Sequence, residues 1–242
     1  MVALVLGCVP NGPPTTDAGA PGAQKVNKPQ PRPTSSPGAS AAAAHSDPLG
    51  PGFTDDFERA SLGDNWRTTG PAWHIDGGRL CARGARNHPA WLARTLPTNV
   101  RIEFDAMSDS HDGDIKAEFF SDGASAATNV SYNDATSYLT IFGGWKNTFH
   151  VLARIDEHAP DRPQVRIVPN SEDPRARPVV PGQVYHFRVQ RTDGRTLEWT
   201  VDETVMFKFT DPSPLSGPGH DHFGFNDWDV PVCFDNLKVV AL

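Results

Sequence analysis

The chain has 242 residues, among them 21 Gly and 23 Pro, and its formal net charge is −7. This size accommodates one β-sandwich domain plus an extension, and the many Gly and Pro residues suit short strands joined by turns. The acidic balance offers no basic surface for nucleic acid, and no apolar run is long enough to span a bilayer, so we expect no nucleic-acid partner and membrane attachment only through the N-terminus.

The first eight residues form an apolar run that ends in Gly7 and Cys8. This ending resembles the lipobox of bacterial lipoproteins, which implies cleavage before Cys8 and lipidation of that residue. Residues 1–8 lack the basic start and half of the apolar core of a signal peptide, so we interpret them as a truncated lipoprotein signal. The alternative is an incidental apolar start. The resemblance implies export, with the lipoprotein held at the outer membrane, at the cell surface or in the periplasm.

Residues 9–51 are dominated by Pro, Gly, Ala, Ser and Thr and show no apolar periodicity. Such a segment cannot bury a hydrophobic core, and its Pro-rich parts are locally extended. We therefore predict a disordered linker over residues 9–51 that holds a folded domain, residues 52–242, away from a surface.

Short runs with period-2 alternation follow the linker. Residues 100–106 place apolar side chains on even positions and charged ones on odd positions, and residues 114–119 alternate in the opposite phase. A polar turn over residues 108–113 separates the two runs, so we predict that they form a hairpin.

A second hairpin is predicted from residues 138–142 and 149–155, joined by a Gly-Gly turn. Residues 156–181 are charged, rich in Pro and poor in periodicity, which is typical of a long surface excursion. The chain shows about ten or more short strands and no amphipathic helix that could cover a sheet. An all-β sandwich of two antiparallel sheets is the predicted fold class.

Both ends of the folded part carry short motifs. Residues 53–66 read FTDDFERASLGDNW and residues 73–80 read WHIDGGRL, while a Gly-Phe-x-x-Trp strand and the sequence FDNLKV stand near the C-terminus. These segments resemble the first and last strands of concanavalin A-like lectin/glucanase jelly rolls. The resemblance covers residues 52–242. It implies a jelly roll whose first and last strands are neighbours and whose partner is an oligosaccharide or polysaccharide.

Cys81 lies in an early strand and Cys233 in the closing strand. If Cys8 carries a lipid, these two cysteines remain as an even pair, which fits an exported protein. The resemblance places the first and last strands close enough to be bridged, so a Cys81–Cys233 disulfide is expected. The alternative is two separate buried thiols.

The resemblance also implies that one sheet is curved and that its outward side chains line a groove. A sugar site needs aromatic faces for the apolar side of the ring and charged or amide groups for the hydroxyls. Trp145 and Trp228 are the aromatic candidates, with ordinary packing as the alternative. The other predicted carbohydrate-binding residues are Glu103, Asp114, Lys116, Glu118, Arg154 and Asn226.

The string Asp114-x-Lys116-x-Glu118 holds the candidate catalytic residues, Asp114 and Glu118. It resembles the Glu-x-Asp-x-Glu string of retaining β-glucanases of the same fold, but its first acid is Asp and its middle residue is a cation. Retaining hydrolysis needs one protonated and one ionised carboxyl group, and Lys116 would favour ionisation of both. The competing interpretation is a solvated face on which Lys116 pairs with Glu103 or Asp105 across the hairpin.

Three functions stay open from the sequence. The first is carbohydrate binding without catalysis. The second is a glycoside hydrolase, either β-glucanase-like or similar to the 3-keto-disaccharide hydrolases, whose domains also have a concanavalin A-like fold. The third is a surface domain with a structural or protein-interaction role. None of them requires a cofactor, and the oligomeric state is left open.

A structural calcium ion is a further expectation, because related jelly rolls often hold one near the first and last strands. Calcium takes several oxygen ligands, which Asp55, Asp56 and Asp235 would supply if the chain ends meet. The alternative is a solvated turn at Asp55 and Asp56 and a bulge at Asp235.

Overall fold

The computed structural model of the protein describes residues 46–242, so the predicted signal segment, Cys8 and nearly all of the predicted linker lie outside it. The strands in chain order are β1 Asp47–Pro48, β2 Gly52–Asp55, β3 Trp66–Thr68, β4 His74–Asp76, β5 Arg79–Arg83, β6 Ala90–Leu92, β7 Arg94–Thr95, β8 Val100–Ser108, β9 Ile115–Ser121, β10 Tyr138–Gly143, β11 Phe149–Arg154, β12 Gln164–Arg166, β13 Val184–Arg191, β14 Thr196–Val201, β15 Thr204–Thr210, β16 His222–Asn226 and β17 Pro231–Ala241. A left-handed turn, Gly144–Asn147, joins β10 to β11, and a 3₁₀ turn spans Pro174–Ala176.

These strands form two large antiparallel sheets. One has seven strands in the order β12-β11-β10-β9-β16-β6-β3, and the other has eight in the order β15-β14-β13-β8-β17-β5-β4. β2 pairs with β17, so the first and last long strands of the domain are neighbours. A short parallel pair, β1 with β7, stands apart. The predicted all-β, two-sheet antiparallel sandwich is confirmed.

The main core lies between the two sheets and is rich in Phe. Phe104 of the eight-stranded sheet meets Phe225 of the seven-stranded sheet edge to face, with ring centroids 5.1 Å apart. Phe225 also stacks on Phe234 at 4.1 Å. All three rings are fully buried. Burial of each such side chain stabilises the fold by about 1.5–3 kcal/mol, which makes this cluster a major source of stability.

The closing strand β17 ties the eight-stranded sheet together. It pairs with β8 on one side and with β5 and β2 on the other. Cys81 and Cys233 stand directly opposite each other on β5 and β17 and form a disulfide that spans 152 residues of sequence. A bridge over so long a stretch restricts the unfolded chain strongly.

The predicted hairpin of residues 100–106 and 114–119 is wrong. β8 pairs with β13 and β17 in one sheet, whereas β9 pairs with β10 and β16 in the other. The polar turn between them crosses from one sheet to the other. Alternation shows which side chains face the core but does not show which strand lies alongside, because strands in opposite sheets also share that core. The second predicted hairpin, β10 with β11, is present.

The outer face of the seven-stranded sheet is covered by residues 122–137, which join β9 to β10 and are called the cover loop below. Every residue of β9, β10 and β16 is buried. A second apolar cluster lies on this face, formed by Tyr132, Ala135, Leu139, Ile141, Val151 and Ala153. The expected open groove is therefore replaced by a second core over most of the sheet.

In the part of the chain that the structure describes, we find no helix with the length and apolar character that crossing a membrane requires.

Candidate functional site

One pocket remains where the cover ends. It lies at the start of β9, the central strand of the seven-stranded sheet, and its volume is about 340 Å³. It is lined by residues of the β8–β9 turn, of β9, of the β10–β11 turn, of the β16–β17 turn, of the cover loop and of the segment after β11. The lining residues are Asp112, Asp114, Lys116, Val130, Trp145, Lys146, Glu157, His158, Trp228, Asp229 and Val230.

Lys116 forms the floor of this pocket and is only 4% exposed. Its ammonium donates to Asn87 Oδ1 at 3.1 Å and to Glu157 Oε2 at 3.0 Å. The nearest oxygen of Asp114 lies 4.0 Å away, beyond hydrogen-bond distance. An ammonium has three N–H donors, and these two partners take two of them.

The two carboxylates beside Lys116 are buried as well. Burial raises the pKa of Asp114, and the Lys116 ammonium opposes that rise without cancelling it. Burial alone would lower the pKa of Lys116, but Asp114 and Glu157 outweigh it, so the pKa of Lys116 is raised and the ammonium stays charged. The floor is therefore a desolvated charge cluster that can exchange hydrogen bonds with a polar ligand.

Trp145 is presented by an unusual turn. Trp145, Lys146 and Asn147 all have left-handed backbone angles, with φ of 51°, 57° and 56°. Three such residues in a row cost free energy, of the order of 1 kcal/mol or more each. The side chain of Asn147 holds the turn, because it donates to the carbonyls of His111 and Val179 and accepts from the amide of Val179. Strain maintained in this way is common at functional sites.

Each tryptophan of the pocket has an arginine on one face. The guanidinium of Arg162 lies 4.3 Å from the ring centroid of Trp145, and that of Arg86 lies 4.7 Å from the ring of Trp228. Such cation–π contacts fix the orientation of the rings. Both rings line the pocket and are half-buried, so they can offer aromatic surface to a ligand.

Glu118 and Asn226 lie next to the pocket but under the cover loop, and both are fully buried. The Glu118 carboxylate accepts from the Tyr132 hydroxyl at 2.7 Å, the Ser137 hydroxyl at 2.5 Å and the Asn226 amide at 2.7 Å. Burial raises the pKa of Glu118 to about 7, and these three donors oppose the rise. The carboxylate is thus held inside the protein rather than offered to a substrate.

Two predicted carbohydrate-binding residues lie elsewhere. Glu103 is on the outer face of the eight-stranded sheet, 3.4 Å from Arg101, and so on the opposite side of the sandwich from Lys116. It was placed beside Lys116 by the wrong hairpin, so the proposed pairing of Lys116 with Glu103 or Asp105 is also wrong. Arg154 pairs with the buried Asp211 at 2.7 Å and lines no part of this pocket.

The structure thus brings together Asp114, Lys116, Trp145 and Trp228 from the predicted set. Sequence reasoning missed Glu157 and Asn87, the two hydrogen-bond partners of Lys116. Glu157 sits in a charged, irregular segment, and Asn87 in a loop before β6, so neither carries a local pattern. The one available signal is Lys116 itself. A Lys that is buried within a sheet requires a carboxylate partner somewhere in the chain.

The calcium candidates are not gathered into one cluster. The carboxylate of Asp55 accepts hydrogen bonds from Nη1 and Nη2 of Arg59 and from the indole N–H of Trp66. Asp56 and Asp235 instead accept backbone amides near themselves, from Glu58 and Asn236. Within residues 46–242 no group of three or more His, Cys, Asp or Glu is placed to hold a metal ion. The residues present therefore do not fit a calcium site, and the calcium expectation stays a prediction without support here.

No protein-family model matches this chain, and no curated protein does either. Solved structures do match. The chain is similar to carbohydrate-binding module CBM66 from Bacillus subtilis, with 15% identity over 73% of this chain and 96% of that chain and a TM-score of 0.52.

Two enzymes of known structure are similar in the same way. For the β-glucanase of Bacillus licheniformis the identity is 9%, the coverage 80% of this chain and 99% of that chain, and the TM-score 0.54. For the laminarinase from Rhodothermus marinus the corresponding values are 12%, 78%, 96% and 0.52. At such identities the likeness concerns the fold alone. With the sheet topology described above, it shows that residues 46–242 have the fold of the concanavalin A-like jelly rolls.

Proposed function

We propose that the protein binds carbohydrate in the pocket around Lys116. The observation that carries this proposal is the combination of two half-buried tryptophans with a buried charge cluster in one pocket. Aromatic faces contact the apolar face of a sugar ring, and charged donors and acceptors contact its hydroxyls. Similar solved structures, which include a carbohydrate-binding module, support this choice.

The charges of the lining indicate which sugars fit. Four carboxylates, those of Asp112, Asp114, Glu157 and Asp229, line the pocket. At the exposed rim they are balanced by Lys146 and by the guanidinium groups of Arg86 and Arg162 on the two tryptophans. At the buried floor two carboxylates, Asp114 and Glu157, face one ammonium, that of Lys116. An acidic sugar would meet net repulsion there, whereas a neutral sugar would not. We therefore expect neutral glycans to bind better than uronate-containing or sulfated ones.

Export and lipid attachment belong to the same proposal. The disulfide between Cys81 and Cys233 supports export, because disulfides persist in oxidising compartments outside the cytosol. Lipidation at Cys8 would place the domain at the cell envelope, where glycans are found. Labelling of the expressed protein with a radioactive fatty acid, compared with a Cys8→Ala variant, tests the anchor independently of sugar binding.

A glycan array probed with the full chain tests the proposed binding. Trp145→Ala should weaken binding about tenfold or more, because the aromatic contact is lost. Glu157→Gln should weaken it as well, whereas the matched Glu103→Gln on the opposite face should bind like wild type. Wild-type binding that survives in both pocket variants would place the sugar elsewhere, and the absence of binding to every glycan would favour a structural or protein-interaction role.

Glycoside hydrolysis is a second candidate, favoured by one observation. Asp114 has a raised pKa and shares the pocket with a second carboxylate, Glu157. Lys116 lies between them and opposes the protonation that a general acid needs. Reducing-end release from glycans that bind on the array separates the two functions. Release that is abolished in Asp114→Asn would make the protein a hydrolase, and binding without release would make it a binding protein.

A further inference from the structure

The two tryptophans stand on opposite sides of the pocket floor. In the seven-stranded sheet β9 lies between β10 and β16. Trp145 belongs to the turn that joins β10 to β11, and Trp228 follows β16. Lys116 lies at the start of β9 and Asp114 directly before this strand, between the elements that carry the two rings. A ligand on Lys116 is therefore flanked by a tryptophan in each direction across the strands.

Along the strands the pocket is closed on the side of Glu118 and opens towards the exposed Asp112 of the β8–β9 turn. Two positions beyond Lys116, Glu118 is fully buried and bonded to Tyr132 of the cover loop. Val130 of the same loop lines the pocket. Since every residue of β9, β10 and β16 is buried, the floor does not continue as a groove over the sheet.

The polar groups at the floor of the pocket are buried, whereas the residues at its rim are exposed. The floor residues Asp114, Lys116 and Glu157 are 8%, 4% and 5% exposed. Val130, at 75% exposure, and the exposed Lys146 and Asp229 form the rim. The hydrogen-bonding groups thus lie at the bottom of the pocket, and the exposed residues lie at its mouth.

The geometry points to recognition of the terminal sugar of a glycan chain, which enters end-on while the rest of the chain leaves through the mouth. This inference rests on the proposed carbohydrate binding. A sugar inside a chain has neighbours on two sides and needs two exits. The tryptophans block both directions across the strands and the cover loop blocks one direction along them, which leaves one open side. A terminal sugar needs one exit, and its free hydroxyls can reach Lys116, Asp114 and Glu157.

The test asks whether binding follows the concentration of chain ends or the mass concentration of the polysaccharide. Neutral polysaccharides, namely β-1,3-glucan, β-1,4-xylan, levan and mannan, are each titrated into the full chain before and after partial acid hydrolysis, with tryptophan fluorescence as the readout. Hydrolysis multiplies the chain ends at constant mass. For end-on binding, the half-saturating mass concentration falls by the same factor as the chain-end concentration rises. An unchanged or higher value after hydrolysis would overturn the inference and leave carbohydrate binding intact.

For a β-1,3-glucan ligand, periodate oxidation gives a second arm. The internal residues of this polymer have no vicinal hydroxyl pair, so periodate oxidises the chain ends and leaves the interior unchanged. End-on recognition predicts loss of binding after oxidation, and retained binding contradicts it. If none of the polysaccharides binds before or after hydrolysis, the proposed function itself fails and this inference fails with it.

Discussion

The two sheets of the sandwich show the same alternation of side chains but very different outer faces. On the eight-stranded sheet, Glu103 and Asp105 of β8 point outward and stay partly exposed, and Asp105 pairs with the exposed His186 at 2.8 Å. On the seven-stranded sheet, the outward Glu118 and Leu139 are fully buried. The cover loop makes the difference, because it brings Tyr132 and Ala135 onto that face.

This difference explains why the pocket lies where it does. Covering a sheet face excludes water from the charged side chains on it, so each must find a partner. Glu118 finds three donors beneath the loop, and Lys116 finds Asn87 and Glu157 at its edge. The site is thus a part of the covered face that stays open to ligands, and the variants below test that distinction.

Loss of the Lys116 charge should have the largest effect. Lys116→Met leaves two buried carboxylates without their cation, and removing one partner of a buried ion pair costs about 3–5 kcal/mol. Lys238→Met, on the exposed outer face of the eight-stranded sheet, should change stability by no more than about 0.5 kcal/mol. Urea unfolding followed by circular dichroism measures both. Equal midpoints for the two variants would show that the covered and exposed faces do not differ as described.

The second core gives a similar but somewhat smaller contrast. Leu139 is fully buried under the cover loop, so Leu139→Ala should destabilise the protein by about 2–5 kcal/mol. Val205→Ala, at an exposed aliphatic position of β15, should cost about 0.5 kcal/mol or less. The difference in thermal midpoint between the two variants checks this. A Leu139→Ala protein as stable as Val205→Ala would mean that the loop does not pack on the sheet.

The fold was predictable from the sequence for a physical reason. Alternation in residues 100–106 and 114–119 identifies side chains that share a core, and the structure places Ile102, Phe104 and Phe119 there. What alternation cannot identify is the neighbouring strand. The same pattern is compatible with a hairpin and with two strands in opposite sheets. Choosing the hairpin gave a wrong predicted position for Glu103, on the same face as Lys116.

Only those site residues were predictable whose type and position in the sequence are unusual for a β-sheet protein. Trp145 after two glycines and Trp228 after a strand stand out in an all-β chain, and both line the pocket. The cover loop gave no such signal, because residues 122–137 are rich in Ser, Ala and Asn, as an exposed loop would be. Its few buried side chains, such as Tyr132, decide which face is open, and no short pattern identifies them.

A more modest effect is expected from the hydroxyl of Tyr132. Tyr132→Phe keeps the packing of the ring but leaves the buried Glu118 with two donors instead of three. Loss of one hydrogen bond to a buried charged group should cost about 1–3 kcal/mol. Tyr185→Phe is the matched control, since the hydroxyl of Tyr185 accepts from the neutral amide of Val180. Equal losses in the two variants would argue against a special role for the Glu118 network.

The pH dependence of stability gives the finest test of the covered face. Burial raises the pKa of Glu118 from its ordinary value of 4.5 to about 7 in the folded protein. Between these values the folded state holds a proton that the unfolded state has released, so the contribution of Glu118 is full below about pH 4.5 and declines as the pH rises to about 7.

Glu118→Gln should remove this decline, whereas Glu103→Gln on the exposed face should keep it. The measurement is the free energy of unfolding in urea at a series of pH values from 4.5 to 8, taken as the difference between each variant and wild type. Other groups also titrate in this range in one of the two states, such as His150, whose pKa burial lowers from 6.5 to about 4, and their contributions cancel in that difference. A Glu118→Gln curve parallel to that of wild type would mean that water reaches this carboxyl group. Glu118 would then not differ from the exposed Glu103, and the contrast between the two faces would be wrong.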